Sequence, residues 1–222
     1  MVDLLAVCAH PDDLEVCASG IFLKAKKEGR RTGLIVLTRG ESGGHAEMET
    51  RLLEAKEGAR RMGLDKYWQL DFPDAGVHYN REAVEAVAPY MRKASPRLIL
   101  TLHPDDYHPD HVATSQIARA AAFTGGLNKY ADDGSDWHYE AILFMSADRR
   151  TNRSRPDLVV DITQEAEEKR AVCAAHASQR IEEFAMNLSR ADGALIGAEY
   201  GEGLYLSQAL PVRSLTGLAG LV

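Results

Sequence analysis

LILTLHPDDYHPDH, residues 98–111, begins as a strand and ends as a cluster of reactive side chains. Leu98–Leu102 is a continuous apolar run, as expected of a strand buried on both faces. Behind it come His103, His108 and His111, interleaved with Asp105, Asp106 and Asp110. The tetrapeptide HPDD occurs once more, at His10–Asp13, just behind the apolar run Leu4–Val7. Both acidic-histidine clusters therefore begin where a strand stops.

The rest of the chain repeats the same alternation. Further apolar runs at 34–37, 67–70, 142–145 and 158–162 read as strands. Amphipathic spacing predicts helices over 20–28, 49–62, 81–93, 112–123 and 163–187. Gly29 and Gly63 stand where C-caps belong, and Thr163 where an N-cap belongs. Strands alternating with helices predict an α/β, Rossmann-like doubly wound sheet, mainly parallel and flanked by helices. Its core order is 3-2-1-4-5. The Gly-rich stretch after Asn187 is expected to form a small C-terminal extension, a hairpin. No linker composition interrupts residues 1–222, so a single domain is expected. In this strand order the first and fourth strands are neighbours, and the order reverses between them. Ligands of such sheets bind in that crevice, outside the carboxyl ends of the strands. The two clusters become two walls of one site.

Bulk composition narrows the partners. A formal charge of −7 with no long block of like charge argues against nucleic-acid or anionic-membrane binding. No window approaches the roughly 20 apolar residues of a membrane span. The odd set Cys8, Cys17 and Cys173, without a CxxC spacing, fits free thiols in a reduced cytoplasmic setting. RGESGG (39–44) lacks the Lys-Ser/Thr of a phosphate loop, and no GxGxxG follows the first strand.

Imidazole and carboxylate are good ligands for zinc and similar divalent ions, and a catalytic site keeps three protein ligands and one open position. His10 and Asp13 lie three apart, as do His108 and His111, and Asp12 stays free between ligands. Pro109 suits the first turn of the helix that follows. Either cluster alone could be a set of helix caps and loop histidines. Two such clusters at adjacent strand ends point to metal-assisted hydrolysis instead. A two-metal phosphoesterase usually wants more bridging carboxylates. A non-catalytic sugar- or metal-binding protein has no need of the spare Asp12.

On these residues the sequence resembles the PIG-L/LmbE-type zinc N-deacetylases of N-acetylglucosamine conjugates. AHPDD (9–13) and HPDH (108–111) carry the likeness most specifically. RGESGG (39–44), ETRLLEA (49–55), LDFPDAGV (70–77), HASQ (176–179) and EYGEGLYL (199–206) support it. The FPDAG segment and the tail look closest to the bacillithiol-pathway branch, whose substrate is N-acetylglucosaminyl malate. Other N-acetylglucosamine substrates are the alternative: chitooligosaccharides, an inositol conjugate or a glycopeptide-type sugar. The resemblance implies His10, Asp13 and His111 as ligands of Zn2+ or another divalent ion. It implies Asp12 as general base on the attacking water. His108 becomes the protonated general acid or oxyanion partner, oriented by Asp110. Tyr200 becomes an extra donor to the carbonyl oxygen, and Arg51 a substrate-binding group or a holder of the site loops. His103, Asp105 and Asp106 are expected in supporting roles, Asp106 as an orienter of a ligand histidine. His45 stands in a loop that could touch substrate. The family likeness also implies a homo-oligomer, a trimer or hexamer.

Overall fold

A computed structural model of the protein describes residues 1–43, 47–127 and 137–210. His45, part of the 130–138 loop and the tail from 211 lie outside the described residues. Strands β1 (Leu4–Cys8), β2 (Thr32–Thr38), β3 (Lys66–Phe72), β4 (Leu98–Leu102) and β5 (Ala141–Met145) alternate with helices α1 (Asp13–Lys27), α2 (Met48–Met62), α3 (Arg81–Ala94) and α4 (Pro109–Gly125). Then follow β6 (Leu158–Asp161), α5 (Ala166–Cys173), α6 (Glu182–Ala194) and β7 (Gly201–Leu206).

The sheet runs β3-β2-β1-β4-β5-β7-β6. β1 pairs in parallel with both β2 and β4, and β5 pairs in parallel with β4. The 3-2-1-4-5 core is therefore present, and β1 and β4 end side by side. All five residues of β1 are buried, as its unbroken apolar run requires. β3 and β6 close the two edges and are only partly covered.

Two apolar layers sandwich the sheet. One packs Val84, Val87 and Met91 of α3 and Ile117 and Ala121 of α4 against Leu5, Val7, Ile35 and Ile99. The other packs Leu14, Phe22 and Leu23 of α1, Val172 of α5 and Ala185 of α6 against Ala6, Leu34 and Leu100. Cys8, Cys17 and Cys173 are all buried in this second layer as free thiols. Helix ends follow local chemistry. Asn80 caps α3 by accepting the Ala83 N–H at 2.8 Å, and Gly63 ends α2 at φ 66°, which favours glycine.

Two expectations need correcting. The helix predicted over 163–187 is a 3-10 turn at Thr163–Glu165, then α5, a break and α6. Thr163 is not the cap; its N–H donates to Asp161 Oδ1 at 2.9 Å. The chain leaves the helix after Cys173 so that His176 can turn inward to Glu15, and Arg180 adopts φ 54° in the turn that follows. The expected C-terminal hairpin is also absent among the described residues. α6 continues to Ala194, and β7 enters the sheet antiparallel between β5 and β6.

Candidate active site

Both clusters reach one point. His10 and the HPDD turn leave β1, and His111 sits in the first turn of α4, just past the end of β4. His10 Nδ1 lies 3.2 Å from His111 Nε2. Asp13 Oδ1 lies 3.1 Å from His111 Nε2 and 3.7 Å from His10 Nδ1. A tetrahedral ion with bonds of roughly 2.0–2.2 Å holds its ligand atoms about 3.3–3.6 Å apart. This triangle of two nitrogens and one oxygen fits such an ion. The ring nitrogens of His10, His108 and His111 also lie within 4.8 Å of one another.

The far side of each ligand is tied down. Asp13 Oδ2 accepts the N–H groups of Ala9 and His10 at 2.9 and 2.8 Å, which leaves Oδ1 for the centre. His10 Nε2 lies 3.1 Å from Asp74 Oδ1 and 3.4 Å from Asp110 Oδ2. His111 Nδ1 lies 3.0 Å from Asp106 Oδ1. Each imidazole thus has a carboxylate oxygen on its outward side, the arrangement expected where the other ring nitrogen is to serve a metal.

The electrostatics call for positive charge at the centre. Burial alone would push His10 and His111 down. Asp13 and Asp74 instead carry His10 up to about 11. Asp13 and Asp106 carry His111 to about 10. Burial would likewise raise Asp13, yet His111 and His10 hold it well below the usual carboxylate range. Buried carboxylates around two imidazoles are satisfied either by protons on the rings or by a cation between them. The donor set thus fits a divalent ion in charge as well as in spacing.

Asp12 occupies the N-cap position of α1 without capping it. Its Oδ2 lies 3.4 Å from an Nη of Arg51. Arg51 is only 4% exposed, although its mixed-charge helix alone reads as a solvated surface. Its guanidinium donates to the carbonyls of Gly40 and Gly43. The arginine therefore pins the 40–43 loop beside Asp12.

His108 is the N-cap of α4, and its Nδ1 accepts the Asp110 N–H at 3.2 Å. A neutral His108 therefore carries its proton on Nε2. Burial, then the neighbouring His10 and His111, lower its basicity. With its proton on Nε2, a neutral His108 suits the oxyanion-partner role that the resemblance also implies. The Asp110 carboxylate does not orient His108. It accepts the N–H groups of Ala75 at 2.8 Å and Val77 at 3.2 Å.

Tyr200 is also misplaced by the sequence reading. Its ring packs with Ile162, Ala166 and Met186, and its hydroxyl meets Arg190 at 3.1 Å. None of these residues touches the His10–Asp13–His111 triangle. The second tyrosine of EYGEGLYL, Tyr205, packs edge-on to His103 at 4.8 Å between ring centroids. Side chains alternate along a strand, and that alternation, not the motif, decides which tyrosine faces the clusters.

Asp74, within LDFPDAGV, is a residue of this site that local sequence does not single out. Besides His10, it accepts the N–H groups of Ser42 and Gly43 at 2.8 and 3.2 Å. His10 holds its carboxyl down at about 2. At the mouth of the site Tyr107 is exposed, with the Arg150 guanidinium 3.6 Å from its ring centre. His103 accepts the Asp105 N–H at 3.1 Å through Nδ1 and takes no place in the triangle.

Comparison with known proteins places the chain in a family. The family model PIG-L, GlcNAc-PI de-N-acetylase, matches residues 5–122. The diacetylchitobiose deacetylase of Thermococcus kodakarensis is 28% identical over 225 residues, covering 90% of this chain and 81% of that protein. The solved structure of the conserved protein TT1542 from Thermus thermophilus superposes with a TM-score of 0.87 at 33% identity, covering 96% of this chain and 98% of that one. The 4-carboxy-2-hydroxymuconate hydratase of Pseudomonas putida superposes with a TM-score of 0.86 at 20% identity, covering 97% of this chain and 100% of that one. At that identity the last likeness concerns the fold alone, which hosts more than one chemistry. The family match spans more than half of the chain and includes both clusters. The protein belongs to the PIG-L family of metal-dependent N-deacetylases.

Proposed function

We propose that the protein hydrolyses the acetamide of an N-acetylglucosamine unit carried on a small conjugate, releasing acetate and the free amine. The observation that carries this reading is the inward triangle of His10 Nδ1, Asp13 Oδ1 and His111 Nε2, with Asp12 outside it and next to Asp13 in the chain. His10, Asp13 and His111 would hold a divalent ion, with Zn2+ the first choice, which would supply Lewis-acid chemistry at the acetamide carbonyl. Asp12, steadied by Arg51, takes the proton of the attacking water. His108 offers its Nε2–H as a hydrogen-bond donor to the developing oxyanion, and the proton taken up by Asp12 passes to the departing amine. Asp74 and Asp106 keep the two ligand imidazoles in the correct tautomer.

For the aglycone, N-acetylglucosaminyl malate of bacillithiol biosynthesis is the first substrate to test. The FPDAG segment and the tail support it. A neutral sugar such as diacetylchitobiose is the second, favoured by the arginine pairing. Arg39 is held by Asp71 at 2.9 Å, Arg149 by Asp192 at 2.7 Å, and Arg150 by Asp148. Arg51 is turned to backbone carbonyls and Asp12. These four arginines thus already have acceptors. An anionic aglycone would lean on Arg153 and Arg155, further along the same loop.

The test is acetate release from the malate conjugate, diacetylchitobiose and free N-acetylglucosamine, before chelation, after it, and after Zn2+ return. Metal-restored release from the malate conjugate supports the pathway reading. Release from another sugar keeps the chemistry and moves the pathway. No release from any of them by metal-loaded protein overturns the proposed substrate class.

A further inference from the structure

α1 carries Asp12 and Asp13 at its start, yet it is not one continuous helix. Ala18 sits at φ −151°, ψ 17°, outside helical geometry. In an unbroken helix the Val16 carbonyl would accept the Gly20 N–H. Here two buried side chains stand between those groups. Lys169 Nζ donates to the carbonyls of Val16 at 2.9 Å and Glu15 at 3.1 Å. Glu202 accepts the N–H groups of Gly20 at 2.9 Å and Ile21 at 2.7 Å. The ladder is closed by the pair itself, Lys169 Nζ to Glu202 Oε1 at 2.7 Å. Insertion of side chains into the helix ladder is a recognised cause of a kink.

α5 and the turn after it grip the same first turn at two more points. Cys173 Sγ lies 3.4 Å from the Glu15 carbonyl oxygen, and His176 Nε2 lies 3.1 Å from Glu15 Oε1. Lys169, Cys173 and His176 therefore fall at i, i+4 and i+7, all aimed at one turn of α1. The side chains of Lys169 and Glu202 are 0% and 1% exposed. A buried ion pair is a poor way to gain stability, because desolvation offsets much of its attraction. An unbroken helix would close the same backbone bonds with no buried charge. What the pair adds is a fixed angle between the turn bearing Asp12 and Asp13 and the rest of α1.

We propose that Lys169 and Glu202 are positioning residues for the HPDD motif, acting through the kink at Ala18 to aim Asp13 at the metal centre. This rests on the reading of His10, Asp13 and His111 as metal ligands. The test measures Zn2+ affinity of the full chain by competition with a chromophoric chelator, beside the thermal midpoint of the metal-free protein. Glu202→Gln keeps only one acceptor oxygen, and Lys169→Met keeps the length of the side chain without its charge. Each is expected to weaken Zn2+ binding on the order of tenfold, the scale seen when outer-shell partners of a metal ligand are lost. Val87→Ala, in the apolar layer on the opposite face of the sheet, serves as control. It is expected to lower the thermal midpoint and leave Zn2+ affinity unchanged.

If Lys169→Met does not fold, Glu202→Gln carries the test. A folded Glu202→Gln whose midpoint falls while its Zn2+ affinity stays within about twofold of wild type overturns the proposal. Wild-type protein that binds Zn2+ without releasing acetate from any sugar overturns the proposed substrate class and leaves this comparison standing. Wild-type protein that binds no Zn2+ overturns both.

Discussion

Asp106 Oδ1 stands 3.0 Å from His111 Nδ1, and the same oxygen accepts the His108 N–H at 3.0 Å. One carboxylate thus stands behind the His111 ring and also holds the backbone of the turn that presents it. Asp106→Ala is expected to cost about 10–100-fold in metal affinity. Asp106→Asn is expected to cost less, since its amide oxygen can still accept. Chelator competition measures both, and equal affinity in wild type and Asp106→Ala would remove the orienting role.

Asp12 lies 3.4 Å from Arg51, and it is not one of the three inward donors. Asp12→Ala is therefore expected to keep its metal and to lose roughly 10²–10⁴-fold in turnover, the usual range for a lost general base. Metal content and acetate release on the same sample separate the two effects. Near-normal turnover would sink the base assignment.

Tyr200 lies in the small cluster with Ile162, Ala166 and Met186, its hydroxyl on Arg190. Tyr200→Phe is expected to leave kcat within about twofold of wild type, because loss of one modest hydrogen bond of about 1 kcal/mol acts on stability alone. Tyr200→Phe kinetics that fall by two orders of magnitude would restore the role implied by the family resemblance.

The buried pair of His176 and Glu15 links stability to pH. Burial would lower His176, but Glu15 raises it above its ordinary 6.5. A raised folded pKa gives stability that is fully present below the unfolded value and is lost as pH rises through the folded one. His176→Leu leaves the Glu15 charge buried without its partner, at a cost of about 3–5 kcal/mol. Urea unfolding of both proteins at pH 6 and at pH 9.5 is expected to show the larger gap at pH 6. A gap that widens toward pH 9.5 would mean that His176 is neutral in the folded protein.

The strand order and the meeting of the two clusters were legible in the sequence for one reason. Buried parallel strands must be continuous apolar runs, and the topology then forces the ends of the first and fourth together. The histidines and aspartates and their three-residue spacings were likewise local facts of HPDD and HPDH. Arg51 shows where local reading stops. Its helix alone describes a solvated face, and only the fold turns it onto Gly40, Gly43 and Asp12.

Tyr200 and Tyr205 sit in one short motif, and which of them faces the clusters depends on how β7 registers against β5. Asp110 follows His108 by two residues, yet its carboxylate is claimed by Ala75 and Val77 from the loop after β3. The Lys169–Glu202 pair joins residues 33 apart to backbone groups more than 150 positions earlier. Side-chain type and local spacing are properties of a few neighbouring residues, so the sequence alone determined the core strand order and which residue types gather at the two strand ends. Direction, partner and protonation depend on groups brought together across the chain. The tertiary structure alone decided them, because hydrogen bonds and charges act over a few ångströms of space, not along the sequence.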